Sequence, residues 1–330
     1  MPVAPPAPPA VAPAAPVAVG TVQLTVTAAP DRVLPAIAWY PARSAGEAAP
    51  PILGRKLPVV LMSHGWNGRK EHAAFLAERL VSAGYLVAAV DHINDGAAMA
   101  LQRPLDLARL LDRLSDRAAE PAFLADLADL EHVAVYGHSF GGYTALALAG
   151  AKLGPNPEWT ARCAEKPTTL GCPAPPSDPT KIVSLRDPRI DIAIAATPSG
   201  FFQFGRAGTA AIETPVLLLA AGQDQLVPPA DFVHPLFEHM TRPRWYVELE
   251  LAGHLTFVNL CSKIEKLPSP YKEEVIAECA PDAPLPLPTA HALIADLVIA
   301  ALDHAFKKSP APDYAALARS RNVAVRVEAR

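Results

Sequence analysis

The stretch Val133-Ala134-Val135-Tyr136-Gly137-His138-Ser139-Phe140-Gly141-Gly142-Tyr143-Thr144-Ala145-Leu146-Ala147-Leu148-Ala149 reads as strand, tight turn and helix. Its first four residues form the short apolar run of a buried strand. The run after Gly142 is apolar and rich in small residues, with no breaker, which suits a helix. Between them stands Gly-x-Ser-x-Gly. In that flanking context the pattern is a nucleophile elbow, with Ser139 at its crest. A serine pushed onto so sharp a turn crowds its neighbours, so Gly137 and Gly141 supply positions without a side chain. The helix that follows aims its N-terminal N–H groups and the positive end of its dipole at any anion formed beside Ser139 Oγ.

On either side of the elbow, apolar runs alternate with helical patterns. Residues 21–27 alternate as Val22, Leu24, Val26 and predict a strand; 36–40 predict a second. Pro58-Val59-Val60-Leu61-Met62 is a buried type of strand, followed by a helix over about 70–82 and a strand over 85–90. Leu107, Leu110, Leu111 and Leu114 lie on one helical face, and the helix is expected to begin after Pro104. Strands over 190–196, 215–221 and 245–251 and a final amphipathic helix over 291–306 complete the pattern. The fold class is therefore α/β, with a mostly parallel, doubly wound central sheet flanked by helices.

The expected organisation is a Pro/Ala-rich disordered leader over 1–19, one domain over 20–307 and a tail over 308–330. Within the domain, about 152–187 breaks the rhythm with Pro155, Pro157, Pro167, Pro173, Pro175, Pro176 and Pro179. A loop of that length reads as an insertion over one edge of the site. At 330 residues and 51% hydrophobic, the chain can bury a large core. A net charge of −4 with no basic run argues against nucleic acid or an anionic membrane surface as partner. No apolar stretch reads as long enough for a membrane span. The leader has no basic n-region and no leucine-rich h-region, so no signal peptide is visible. Cys163 with Cys172 and Cys261 with Cys279 read as two local disulfides, which implies an oxidising compartment; the alternative is four unrelated reduced thiols. No Cys-x-x-Cys or His-Glu-x-x-His spacing points to a metal.

A serine hydroxyl needs a base to take its proton, and the base needs a partner to fix its tautomer. In this arrangement the chain order is Ser, acid, His. The strand over 215–221 runs into Gly222-Gln223-Asp224, and the strand over 245–251 runs into Ala252-Gly253-His254. Asp224 and His254 thus fall at the carboxyl ends of buried strands, where α/β sheets build their sites. His138, His234, His239, His291 and His304 read as turn or helix-face residues, and Asp191 lies at the wrong end of its strand. The oxyanion donors are expected to be the backbone N–H groups of Phe140 and Trp66, the latter on the turn Ser63-His64-Gly65-Trp66. His92, Phe201, Phe202 and Phe257 are candidates for the substrate pocket, with core packing as the alternative for the phenylalanines.

These residues, together with Val87-Ala88-Ala89-Val90-Asp91-His92, Arg103-Pro104-Leu105-Asp106, Asp187-Pro188-Arg189-Ile190 and Gly253-His254-Leu255-Thr256-Phe257, resemble the α/β-hydrolases of the bacterial dienelactone-hydrolase-like group. That group is related to platelet-activating-factor acetylhydrolases and, more distantly, to cutinases. The resemblance spans most of 55–260. It implies a serine carboxylester hydrolase with no cofactor, acting on short- to medium-chain esters; cysteine pairs such as these suggest export to the periplasm or medium of a bacterium. Two departures stand out. Dienelactone hydrolases carry a cysteine nucleophile, where this chain has Ser139. The plasma acetylhydrolases place their acid after the strand matching 190–196, where this chain reads Thr197-Pro198-Ser199, leaving Asp224 as the acid. A lipase, cutinase-like or polyester-active hydrolase with an open cleft is the alternative within enzymes, and a non-catalytic binding protein on the same fold is the alternative class.

Overall fold

In the computed structural model, which describes residues 17–93, 99–165, 181–260 and 285–330, the chain opens with the antiparallel pair β1 (Ala18–Ala29) and β2 (Arg32–Ala42). A short β3 (Gly46–Glu47) runs beside β1. Next come β4 (Leu57–Ser63), α1 (Ala74–Ser82), β5 (Leu86–Val90), α2 (Met99–Ser115), α3 (Phe123–Leu127), β6 (Ala128–His138) and α4 (Phe140–Leu148). The expected insertion contains β7 (Lys152–Leu153), α5 (Pro157–Glu165) and β8 (Val183–Ser184). The second half adds β9 (Ile190–Ala196), α6 (Phe201–Ala210), β10 (Val216–Ala221), α7 (Val233–His239) and β11 (Arg244–Leu249). The helices α8 (Leu287–Lys307) and α9 (Tyr314–Ser320) and the strand β12 (Val325–Ala329) close the chain.

Ten strands form one sheet in the order β12-β11-β10-β9-β6-β4-β5-β2-β1-β3. The six central strands from β11 to β5 are parallel. Their alternation splits the core in two, because successive side chains point to opposite faces. Val59 and Leu61 of β4, Val133 and Val135 of β6, and Leu218 and Ala220 of β10 pack toward α2, α4 and α7. Val60 and Met62, Ala134 and Tyr136, and Leu217 and Leu219 pack toward α1, α8 and α9. Both faces are covered, which is why these strands read as continuous apolar runs.

Four expectations need correction. Helix α2 starts at Met99, so Pro104 lies inside it instead of before it. A proline there cannot donate to the carbonyl four residues back, Ala100. The Tyr143 hydroxyl of α4 donates to the Ala100 oxygen at 3.1 Å and so satisfies the acceptor that the proline leaves open. The segment over 308–330 is no tail: β12 pairs antiparallel with β11 from Trp245 to Leu249, and Tyr314 and Ala318 of α9 are buried. The strand signal of β12 is weak because its side chains are only partly buried, so its residues alternate with Arg326 and Glu328. Helix α8 is, by length and composition, apolar enough to cross a membrane. In the fold its Leu293, Ile294, Leu297 and Val298 pack into the core on the α1 side of the sheet. Finally, β1 begins at Ala18, inside the expected leader, whose residues 1–16 lie outside the described ones.

The Tyr143–Ala100 bond gives a test. Tyr143→Phe leaves the Ala100 carbonyl buried without its donor, and should lower unfolding stability by about 1–3 kcal/mol. Urea denaturation checks it; an unchanged midpoint would show that the Pro104 gap needs no such closure.

Candidate active site

The site is assembled at the carboxyl ends of β4, β5, β6, β10 and β11. Ser139 stands between β6 and α4 at φ 56° and ψ −118°. A β-carbon on Gly137 would strike the Gly141 carbonyl, and one on Gly141 would strike the Ser63 carbonyl. The two glycines of the motif are thus fixed by backbone meeting backbone across the turn. Such a positive φ at a non-glycine residue is a strained conformation held by its surroundings. Here Ser139 N–H donates to Ala196 O at 2.8 Å, which ties the crest of the turn to the end of β9.

Asp224 and His254 meet as the chain order implied. Asp224 Oδ2 accepts from His254 Nδ1 at 2.7 Å. Its other oxygen, Oδ1, accepts from the backbone N–H of Leu226 at 3.0 Å and of Val227 at 2.7 Å. Both side chains are nearly inaccessible to solvent, 0% for Asp224 and 4% for His254, so water does not compete for the bond. A neutral imidazole that donates through Nδ1 keeps its lone pair on Nε2. His254 sits on a short 3₁₀ turn, and Gly253 N–H donates to Thr256 Oγ1 at 3.0 Å at its start. His138, next to Ser139, donates from Nε2 to the carbonyl of His254 at 2.9 Å, with the two rings 4.8 Å apart. The backbone of His254 is thereby attached directly to the elbow. The end of β9, Thr197-Pro198-Ser199, carries no carboxylate, and the carboxylate that meets His254 comes from the end of β10.

The turn His64-Gly65-Trp66 lies against Ser139: a β-carbon on Gly65 would stand 3.2 Å from that of Ser139. Trp66 is 45% exposed, and its ring meets the ring of Phe140 edge-on at 6.0 Å. Behind the turn is a buried polar lattice. His64 Nδ1 donates to Gly65 O at 2.7 Å, and its Nε2 accepts from His92 N–H at 3.1 Å. His92 in turn donates from Nδ1 to Asp106 Oδ2 at 2.8 Å and accepts at Nε2 from the Ser63 hydroxyl at 2.9 Å. Arg32 of β2 closes on both oxygens of Asp106. Arg103 of α2 donates to the carbonyls of His64 at 2.8 Å and Gly65 at 3.3 Å.

His92 was expected in the pocket. Its side chain is instead fully enclosed and engaged at both nitrogens, so it braces β4, β5 and α2 from behind. Phe257 is also no lining residue: it is fully buried in the core on the α1 side and stacks near His138. Phe201 and Phe202 belong to an aromatic cluster at the start of α6, with Phe202 edge-on to Phe232 at 4.8 Å and stacked near Trp159 at 6.2 Å. Cys163 lies on α5 and is engaged in a disulfide. Cys172, Cys261 and Cys279, and with them both expected pairings, lie outside the described residues. Sequence reading missed Arg103, Asp106, Ser63 and Arg32 as parts of the site. The one available signal was that Arg103 and Asp106 are charges three apart on the apolar side of a helix.

Residues 38–109 match the family model described as platelet-activating factor acetylhydrolase, isoform II. That segment runs from β2 to α2 and so includes the turn 64–66, His92, Arg103 and Asp106, but stops short of Ser139. Among solved structures, a ferulic acid esterase from Streptomyces cinnamoneus is similar at a TM-score of 0.63 and 21% identity, covering 91% of this chain and 94% of that one. No curated protein sequence matches the chain. The fold is that of an α/β-hydrolase, and over residues 38–109 the chain is similar to the acetylhydrolase family model.

Burial holds three histidines far below the ordinary imidazole value. His64 is pushed down by desolvation and then by its neighbours His92 and Arg103. His92 is lowered by desolvation and by Arg103 and Arg32, and His138 by desolvation and then His254. The folded protein keeps these rings neutral, whereas the unfolded chain protonates them near the ordinary imidazole value of about 6.5. The unfolded state therefore binds more protons below that pH. Stability is complete above it and falls as the pH drops toward the folded values, by at most roughly 4 kcal/mol per pH unit for three rings. Urea midpoints should be clearly lower at pH 5 than at pH 7.5. Equal midpoints would mean that the folded lattice accepts protons.

Proposed function

We propose that this protein is a serine carboxylester hydrolase acting on short- to medium-chain esters through an acyl-enzyme. The observation that carries the reading is the 2.7 Å bond from His254 Nδ1 to Asp224 Oδ2, buried beside an elbow that holds Ser139 at φ 56°. Ser139 Oγ bonds to the ester carbonyl carbon while its proton passes to His254 Nε2 and the π pair moves to the carbonyl oxygen. The N–H groups of Phe140 and Trp66 receive that oxyanion. Collapse of the intermediate breaks the ester C–O bond, and the proton on His254 leaves with the alcohol. Water then repeats the sequence on the acyl-enzyme and frees the acid. Asp224 holds the Nδ1–H tautomer throughout and stabilises the imidazolium.

The match to an acetylhydrolase family model and the similarity to a ferulic acid esterase support ester hydrolysis as the reaction class. A p-nitrophenyl ester series from acetate to decanoate, with a feruloyl ester alongside, tests the acyl preference. Ser139→Ala should lose roughly 10³–10⁶-fold in turnover while melting as the parent does. Asp224→Asn should lose roughly 10²–10⁴-fold. An organophosphonate should label Ser139. Label on another serine, or near-normal turnover by Ser139→Ala, would sink the assignment. No turnover of any ester by the parent would favour a binding protein instead.

The reading extends to an exported protein with Cys163–Cys172 and Cys261–Cys279 disulfides, each bracing a proline-rich segment. A bridge closing so short a loop contributes about 2–4 kcal/mol. Non-reducing peptide mapping is expected to return these two pairs; four free thiols or a crossed pair would refute them.

A further inference from the structure

Arg103 is fully buried, and the bonds it makes among the described residues both end on backbone carbonyls, not on a carboxylate. The nearby acid, Asp106, is held by Arg32 and His92. Burying a guanidinium without such a pair is costly, so this position is demanding on the fold. The two carbonyls belong to consecutive peptides, His64–Gly65 and Gly65–Trp66. In a trans peptide the N–H points opposite to the C=O. Holding the Gly65 carbonyl toward Arg103 therefore turns the Trp66 N–H away from it, on a turn whose Gly65 backbone stands against Ser139. The same Gly65 oxygen also accepts from Gly68 N–H at 3.1 Å and from His64 Nδ1 at 2.7 Å. Donors on a carbonyl oxygen polarise the amide and strengthen its N–H as a donor. The guanidinium also lies over the Phe140 ring, 4.8 Å from its centroid, and Phe140 carries the other oxyanion N–H. One cation thus touches the Phe140 ring and the carbonyl of the peptide whose N–H belongs to Trp66.

We propose that Arg103 is the positioning residue of the oxyanion hole, aiming and polarising the Trp66 N–H through the Gly65 carbonyl and seating Phe140 beneath its ring. This rests on the ester-hydrolase reading of the same site. An arginine fits the role better than a lysine because its planar fork reaches two carbonyls at once.

The test measures p-nitrophenyl acetate turnover by the parent, Arg103→Lys and Arg103→Met, each normalised to the number of serines that a phosphonate titrates at completion. Loss of an oxyanion donor costs about 10²–10³-fold in turnover. Misaiming one should reduce kcat per reactive serine by about 10–100-fold in Arg103→Met, with KM within about threefold and Arg103→Lys in between. The Ki of an alkyl trifluoromethyl ketone, whose serine adduct places an oxyanion in the hole, should rise by the factor by which kcat/KM falls. A purely structural Arg103 would lower the count of reactive serines and leave the rate per serine unchanged; that result overturns the proposal, as does a loss confined to KM. If Arg103→Met yields no folded protein, Arg103→Lys decides on the same criteria. Failure of the underlying reading looks different: the parent itself turns over no ester, or Ser139→Ala is as active as the parent, and both proposals fall together.

Discussion

The chain passes from β6 to α4 through a single residue, Ser139, with its backbone in the left-handed region. Everything else in the site depends on that turn being tight. Only a tight turn lifts the serine hydroxyl clear of the sheet edge and starts a helix immediately behind it, at Phe140. The cost of the conformation is met by contacts that no other residue type would permit. Gly137 and Gly141 let the backbone of the turn pack on itself and on the end of β4. Ser139 N–H is held by β9. The strain is therefore supported by the parallel sheet, through the ends of β4 and β9.

Around this turn the protein buries several ionisable side chains. They fall into two groups with different tasks. Asp224, His254 and His138 form the group on the β10–β11 side, where Asp224 accepts from His254 Nδ1 and His138 ties the backbone of His254 to the elbow. Ser63, His92, Asp106 and Arg32 form a hydrogen-bonded chain on the β4–β5 side. By residue type this second chain imitates a catalytic triad, but it is closed to solvent and ends on an arginine, so it serves as a brace. Buried polar groups of this kind are tolerable only when their partners are present, and the low-dielectric setting that makes an unpaired group expensive also makes a paired one rigid.

The strands and the elbow were legible because their signals are local. Two-faced burial turns the parallel strands into unbroken apolar runs, and Gly-x-Ser-x-Gly between a strand and a helix has few other uses. Asp224 and His254 were legible from their position just past strand ends. The start of α2 was not, since Pro104 is a breaker unless something far away satisfies the Ala100 carbonyl, and that partner, Tyr143, lies on another helix. The edge strand β12 was missed because a half-exposed strand carries charges that read as tail. His92 and Phe257 were assigned to a pocket because position at a strand end does not tell which way a side chain points.

What the sequence by itself determined is the α/β class, the strand–turn–helix around Ser139, and the placing of Asp224 and His254 just past strand ends, because each depends on neighbours within a few residues. Only the tertiary structure decided which buried charges meet. Arg103 comes from α2, His64 and Gly65 from the end of β4, and Phe140 from the start of α4; nothing in their spacing along the chain brings them together. Their meeting is set by the packing of α2 and α4 on one face of the sheet, and electrostatics within a few ångströms then makes that meeting matter.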